Sequence, residues 1–118
     1  MNGVILFAHG SRDPLWRRPM EAVAAQVHHM SPDTPAACAY LELCEPDLPT
    51  AVQALLDQGV THVRVLPVFF GMGKHAREDL PELLHALRER HPHTTFTALP
   101  TAGENPAITQ LLAQLALG

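Results

Sequence analysis

Positive charge is scarce in this sequence. Its 118 residues include only 8 lysines and arginines against 12 aspartates and glutamates, and the net charge is −4 with the histidines neutral. Nucleic acids and anionic membranes are bound by broad basic surfaces, which so few and scattered basic residues do not form. We therefore expect neither a nucleic acid nor a membrane among the partners of this protein.

Cysteine and long apolar segments are also rare. The only cysteines, Cys38 and Cys44, are predicted to lie six residues apart in one strand, which is too far for a disulfide, so we interpret them as reduced core residues. The opening MNGVILFAHG has no basic n-region, and its apolar run is far shorter than the ~20 residues that cross a bilayer. The sequence predicts a cytoplasmic protein.

The sequence instead contains a regular alternation of apolar strands and amphipathic helices. Residues 4–8 (VILFA) are typical of a strand buried in a parallel sheet, and apolar residues at three- and four-residue spacing predict a helix over about 17–30. The pattern recurs, with strands predicted at 36–43, 61–70 and 94–100 and helices at 50–59, 80–90 and 106–117. We predict a single α/β domain spanning residues 1–118, with a parallel sheet sandwiched by helices on both faces.

Polar residues collect where the apolar runs stop, and ligands of such sheets bind beyond the carboxyl ends of the strands. The candidates after the first three strands are His9, Ser11, Arg12, Glu42, Glu45, Lys74, His75, Arg77 and Asp79, the last four in a predicted loop. Imidazole and carboxylate groups from separate loops suit cobalt, nickel, iron or zinc. A metal site is therefore one interpretation of His9 and His75, and hydrogen-bonded loop histidines are the other.

Three further signals have simpler explanations. Ser11 lacks a G-x-S-x-G context, so we interpret its hydroxyl as a helix cap or an anion ligand instead of a nucleophile. The string GMGK lacks the spacing of a phosphate-binding loop. Glu45 precedes Pro46, where an acid commonly stabilises a helix N-terminus, which leaves Glu42 as the better candidate for chemistry.

The basic residues are unevenly placed. Five of the eight flank the two candidate histidines: Arg12, Arg17, Arg18, Lys74 and Arg77. A solvated surface is the ordinary explanation of such charges. In an acidic protein, however, a positive rim around a metal-binding centre indicates a ligand that carries carboxylates.

Three strings, HGSRDP, YLELCEP and LPVFFGMGKHAREDLP, occur in this order, each at the end of a predicted strand. Together they resemble the sirohydrochlorin chelatases, specifically the short form of the anaerobic cobalt chelatase family (CbiX), over the whole chain. The resemblance implies a class II chelatase, a lyase that inserts a divalent metal into sirohydrochlorin without ATP or another nucleotide. Cobalt is the expected metal, for cobalamin or siroheme biosynthesis. Iron, nickel and a non-catalytic metal or tetrapyrrole carrier stay open as alternatives.

The resemblance also assigns roles to residues. It implies that His9 and His75 bind the metal and assist proton removal, and that Glu42, or else Glu45, is the active-site acid. The carboxylates of the tetrapyrrole are expected to be bound by Ser11, Arg12, Lys74 and Arg77. Long members of the family hold two such domains facing each other across a cleft, so the resemblance implies that this chain forms a homodimer.

Overall fold

A computed structural model describes residues 1–118, in which strands and helices alternate along the chain. The strands are β1 (Asn2–Ala8), β2 (Ala36–Tyr40), β3 (His62–Pro67) and β4 (Thr95–Ala98). The helices are α1 (Pro14–Met30), α2 (Leu48–Asp57), α3 (Lys74–Arg90) and α4 (Pro106–Leu117), and a short 3-10 helix, η1 (Ala102–Glu104), precedes α4. The predicted order of strands and helices is confirmed.

The four strands form one parallel sheet in the order β2-β1-β3-β4. In this order β1 is a central strand, and Ala8 near its end lies beside Tyr40 of β2, while Phe7 lies beside Pro67 of β3. The loops that follow these three strands therefore start at the same edge of the sheet. The predicted α/β fold with a parallel sheet is confirmed.

The two faces of the sheet are covered unequally. On one face, α2 and α3 bury a cluster of 14 residues, in which Phe7 and Val65 pack with Leu55 and Leu84. On the other face, α1 covers only four buried residues: Leu6, Ala8, Met20 and Tyr40. Helix α4 does not complete this second layer, because it has no buried residue and its main neighbour is η1, which directly precedes it in the chain. None of the helices is both long enough and apolar enough to span a bilayer.

Several element boundaries differ from those predicted. Helix α1 begins at Pro14 because the Asp13 side chain caps it by accepting a hydrogen bond from the Leu15 N–H (2.9 Å). Strand β2 ends at Tyr40, so the prediction that Cys44 shares a strand with Cys38 is wrong, and Glu42 also lies in the following loop.

Helix α3 begins six residues earlier than predicted, at Lys74 instead of Leu80. The expectation that Lys74, His75 and Arg77 lie on a loop is therefore wrong, and all three belong to the start of this helix. Residues 74–80 contain good helix formers and no glycine or proline. Pro81 lies inside the helix, where it is tolerated. It therefore does not mark the start of the helix, as the sequence pattern had indicated.

Candidate active site

His9 and Glu42, which follow neighbouring strands, form the central pair of the candidate site. Nε2 of His9 lies 2.9 Å from Oε1 of Glu42, and Nδ1 lies 3.2 Å from the carbonyl oxygen of Gly10. Both ring nitrogens of His9 therefore face an oxygen atom, one of a backbone carbonyl and one of a carboxylate. The two side chains are 50% and 56% exposed, so a ligand can reach both groups.

Backbone contacts beyond the ends of β1 and β2 create this pair. The Leu41 N–H donates to the Ala8 carbonyl (2.9 Å), and the Glu42 N–H donates to the His9 carbonyl (3.0 Å), so the pairing of the two chains continues past the strands. Gly10 has a φ of +104°, and a Cβ there would lie 1.8 Å from the Glu42 carbonyl oxygen. The two loops can approach each other because residue 10 has no side chain.

His75 of α3 faces the same cavity as this pair. The cavity has a volume of about 310 Å³ and is lined by His9, Leu41, Glu42, His75 and Asp79. His75 and Asp79 are four residues apart on α3 and therefore lie on one face of the helix. The structure thus brings together three of the site residues predicted from the sequence, each from a different segment of the chain.

Asp79 was named among the strand-end residues but was not given a site role. In a helix, its four-residue spacing from His75 places the two side chains on one face. The same spacing indicates nothing when both residues are assigned to a loop. Within one chain, the His, Cys, Asp and Glu side chains form no group of three or more that could hold a metal ion. The polar residues therefore line the cavity without forming a closed metal centre of the kind that converging ligands build.

The structure distinguishes between the two candidate acids. Glu42 contacts His9, whereas Glu45 lines other cavities, one of them a groove of about 180 Å³ with Cys44, Asp47 and neighbouring residues. Glu45 does not cap α2 either, because Asp47 has that role and accepts a hydrogen bond from the Thr50 N–H (2.9 Å). Hydrogen bonding from Thr50, first from its side chain and then from its backbone N–H, lowers the pKa of Asp47.

Ser11 has a local structural contact. Its Oγ accepts a hydrogen bond from the Asp13 N–H (3.1 Å) in the turn before α1, but the residue that caps α1 is Asp13, so Ser11 is not the helix cap. The hydroxyl hydrogen of Ser11 is not used in this contact and is available to an anion.

The five basic residues predicted at the rim are not all at the His9 cavity. Lys74 and Arg77 flank His75 at the start of α3, and Arg12 lies in the loop after His9; all three are exposed. Arg17 instead lines a separate cavity of about 780 Å³ beside β2, with Glu21 and Cys38 among its neighbours. The basic residues therefore do not surround a single cavity as expected. The cations nearest in the chain to the two histidines are Arg12, Lys74 and Arg77.

The cysteines do not contribute thiolates to the site. Both are free and half-buried. Burial is the main cause of a raised pKa at the Cys38 thiol, whose Sγ donates to the Met20 carbonyl (3.5 Å). Burial likewise raises the pKa of the neighbouring Tyr40 to about 12. Because the thiolate is the form that binds metals, a thiol held protonated is a poor ligand at neutral pH.

The sequence pattern placed Phe70 in the third strand, so its exposure in a loop was not expected. In the structure β3 ends at Pro67, and Phe70 lies in the following loop with 77% of its surface exposed. Buried Thr101 holds this loop by donating to the carbonyls of Pro67 (3.3 Å) and Phe69 (3.2 Å). The loop therefore presents an apolar ring shortly before the helix that carries His75.

The sequence is similar to those of known proteins. A sequence model described as CbiX matches residues 3–117. The chain is 37% identical over 84 residues to a sirohydrochlorin cobaltochelatase of Methanopyrus kandleri, an alignment that covers 71% of this chain and 59% of that protein. It is also 37% identical over 54 residues to a sirohydrochlorin ferrochelatase of Bacillus subtilis, covering 46% of this chain and 21% of that one.

A solved structure matches over almost the full length. The crystal structure of a cobalamin biosynthesis CbiX protein from Marinobacter aquaeolei superimposes with a TM-score of 0.86 and 33% identity, covering 99% of this chain and 95% of that chain. By contrast, this chain spans less than two thirds of the length of the cobaltochelatases that it matches, at 59%, 57% and 64%.

The close approach at Gly10 generates a prediction. Gly10→Ala places a Cβ against the Glu42 carbonyl and strains a backbone with positive φ, so we expect it to cost about 1–3 kcal/mol of stability and to separate His9 from Glu42. Urea unfolding measures the first effect, and the NMR shifts of the His9 ring measure the second. Gly71→Ala is the matched control, because a Cβ there has no neighbour within 4 Å. Equal behaviour of the two variants would contradict the role given to Gly10.

Proposed function

Because this chain belongs to the CbiX family, we propose that it inserts a divalent metal, cobalt, into sirohydrochlorin without the use of a nucleotide. The observation that carries the proposal is the contact of His9 with Glu42, 2.9 Å apart, in a cavity that His75 also lines. Cobaltochelatases among the relatives support the choice of substrate and metal. The product enters cobalamin or siroheme biosynthesis, and we place the reaction in the cytoplasm.

The chemistry requires residues that bind a metal loosely and accept protons. Inserting a divalent ion into the macrocycle removes two protons from pyrrole nitrogens and water from the metal. In the proposed mechanism, His9 and His75 hold the incoming ion, and neutral imidazole suits this task because it binds divalent metals without the strength of a thiolate. The Glu42 carboxylate beside His9 takes up one of the two protons that leave the pyrrole nitrogens, and solvent water takes up the other, so the imidazole that holds the ion does not have to accept a proton.

Basic and polar residues around the cavity are proposed to bind the carboxylates of the macrocycle. Arg12, Lys74 and Arg77 are exposed and lie within three residues of a candidate histidine along the chain. Ser11 adds a hydroxyl donor at the same loop. Because the substrate is an octacarboxylate, these charges increase its rate of capture and orient it over the histidines.

We propose that the active unit is a homodimer. A cavity of about 310 Å³ is small for a macrocycle, since sites for ordinary small ligands occupy ~300–1,000 Å³. Two copies facing each other would enclose the tetrapyrrole and would supply two copies of each histidine. Sedimentation velocity in dilute solution is expected to show a dimer, and a monomer that retains full activity would contradict the proposal.

Metal choice is tested by the absorbance of the tetrapyrrole. Purified protein is mixed with sirohydrochlorin and Co²⁺, Fe²⁺ or Ni²⁺, and the initial rate is compared with the uncatalysed rate for the same metal. We expect the largest acceleration with Co²⁺. Faster insertion of Fe²⁺ would favour the alternative that the Bacillus subtilis relative suggests. Tight binding of the tetrapyrrole with no acceleration for any metal would identify a carrier and overturn the proposal.

The roles of His9 and His75 are tested with alanine variants, and a histidine–glutamate pair elsewhere on the surface provides the control. His9→Ala and His75→Ala are each expected to reduce metal insertion by about 10²-fold or more, because each removes a metal ligand or proton acceptor. His85→Ala is the control: His85 forms a comparable contact with Glu89 (3.0 Å) on the exposed surface of α3. All three variants should unfold within about 0.5 kcal/mol of the wild type. Near-normal turnover of the His9 or His75 variant would remove that residue from the mechanism.

The basic residues are tested by salt dependence. Arg12→Gln and Lys74→Gln should raise the KM for sirohydrochlorin and flatten its dependence on salt, while kcat changes little, because exposed charges are screened over ~10 Å at 0.1 M salt. Arg90→Gln at the end of α3 is the control; Arg88 is unsuitable because it donates to the Phe96 carbonyl (2.9 Å). Steady-state kinetics at several salt concentrations measures the effect. An equal response of the control would show that the carboxylates are bound elsewhere.

A further inference from the structure

The two candidate histidines are held unequally. Both ring nitrogens of His9 face an oxygen, at Glu42 and at Gly10. His75 has neither a hydrogen bond nor an ion pair, and it lies exposed in the first turn of α3, which begins after Gly73 without a side-chain cap. A ligand whose ring rotates freely must be ordered when it binds a metal, and this ordering costs affinity. A second group that orients the His75 ring would remove part of that cost.

Asp79 lies on the face of α3 that carries His75 and lines the same cavity of about 310 Å³. The two residues are four apart, a spacing at which helical side chains are neighbours. Asp79 is half-buried, whereas Glu78 beside it is exposed, and the Asp79 carboxylate is in no ion pair. The cavity therefore contains a carboxylate that no other residue uses, one helical turn from an imidazole that has no partner.

Packing limits the positions that the Asp79 carboxylate can adopt. A second cavity, of about 390 Å³, is lined by Leu41, Asp79, Glu82, Leu83 and Ala86. Leu41 and Asp79 line both cavities, so Asp79 lies where the two adjoin. Leu41 and Leu83 pack against the larger core cluster, and Leu80 is part of it. Asp79 is thus surrounded by anchored apolar residues, and its side chain has less freedom than the exposed ring of His75.

The same helix contains a histidine and an acid that meet at this spacing. Nε2 of His85 lies 3.0 Å from Oε1 of Glu89, four residues further along. Aspartate is one methylene shorter than glutamate, so at the corresponding position it reaches the nearer ring nitrogen, Nδ1, and leaves Nε2 free. Metal-bound histidines generally donate their other ring N–H to a carboxylate or a carbonyl, which fixes the tautomer and the orientation of the ring.

We propose that Asp79 is a positioning residue for His75. When Nε2 of His75 binds the incoming divalent metal, the Asp79 carboxylate accepts a hydrogen bond from Nδ1–H and fixes the ring. Asp79 itself does not bind the metal. The contact forms by rotation of the exposed His75 side chain, with no change in the backbone of α3. This inference rests on the proposed function, because it takes His75 as a metal ligand.

Co²⁺ binding in the absence of the tetrapyrrole tests this role. Asp79→Ala is expected to weaken Co²⁺ binding, measured by isothermal titration calorimetry, by about 10–100-fold. Glu82→Ala is the matched control, because it removes the same charge from the adjoining cavity, seven residues from His75 and out of its reach. We expect Glu82→Ala to bind Co²⁺ within about 2-fold of the wild type, since exposed charges are screened over such distances. Equal losses in the two variants would overturn the proposal.

A double-mutant cycle distinguishes positioning from direct metal binding. If Asp79 acts through His75, Asp79→Ala should not change the Co²⁺ dissociation constant further once His75 is replaced by alanine. The same loss in both backgrounds would show that Asp79 acts independently of His75, which overturns the proposal. Wild-type affinity of Asp79→Ala would also overturn it while leaving the proposed function intact. A wild-type protein that binds no Co²⁺ would refute the proposed function as well.

NMR of the histidine rings provides a readout that a merely structural role of Asp79 would not change. With Zn²⁺ as a diamagnetic probe, long-range proton–nitrogen spectra show which ring nitrogen of His75 binds the metal and which carries the proton. We expect metal at Nε2 and a proton at Nδ1 in the wild type, and a mixture of both arrangements in Asp79→Ala.

Asp79→Asn should keep the wild-type arrangement of the His75 ring, because its amide oxygen still accepts the hydrogen bond. Circular dichroism confirms that each variant is folded. Metal at Nδ1 of His75 in the wild type, or identical spectra of the wild type and Asp79→Ala, would contradict the proposal.

Discussion

The candidate site depends on the close approach of two backbone segments beyond the ends of β1 and β2. The Glu42 carbonyl lies where a side chain of residue 10 would be, and the Glu42 N–H is bonded to the His9 carbonyl. These contacts place a carboxylate beside an imidazole in an exposed position, where neither group would be held by side-chain packing. The backbone contacts therefore fix the positions from which the two side chains extend.

The helices bury much more apolar surface on one face of the sheet than on the other. The face packed by α2 and α3 contains most of the buried residues, and it anchors α3, whose first turn carries His75. The opposite face is only partly covered, because α4 leaves the sheet at η1. One side of the sheet therefore provides the core that orients the site, and the other side retains apolar surface that the helices leave partly uncovered.

Thr101 and Gly103 connect the loop that follows β3 to the segment before α4. Both donate to carbonyls at the end of β3 and in this loop, in which Phe70 is exposed, so the same contacts hold the loop and the start of η1. The loop leads directly into α3, the helix that carries His75.

The sequence by itself determined the order of strands and helices and the parallel sheet, and it placed His9 beyond the end of a strand, because apolar periodicity and the strand-end rule are local or topological properties. It did not determine that α3 starts at Lys74, since Pro81 is tolerated inside the helix, nor that Phe70 lies outside β3. Only the tertiary structure selected Glu42 over Glu45, separated Arg17 from the His9 cavity and left α4 away from the sheet. These features depend on distances between segments remote in sequence, such as Gly10 and Glu42 or Gly103 and Phe70, which no local pattern encodes.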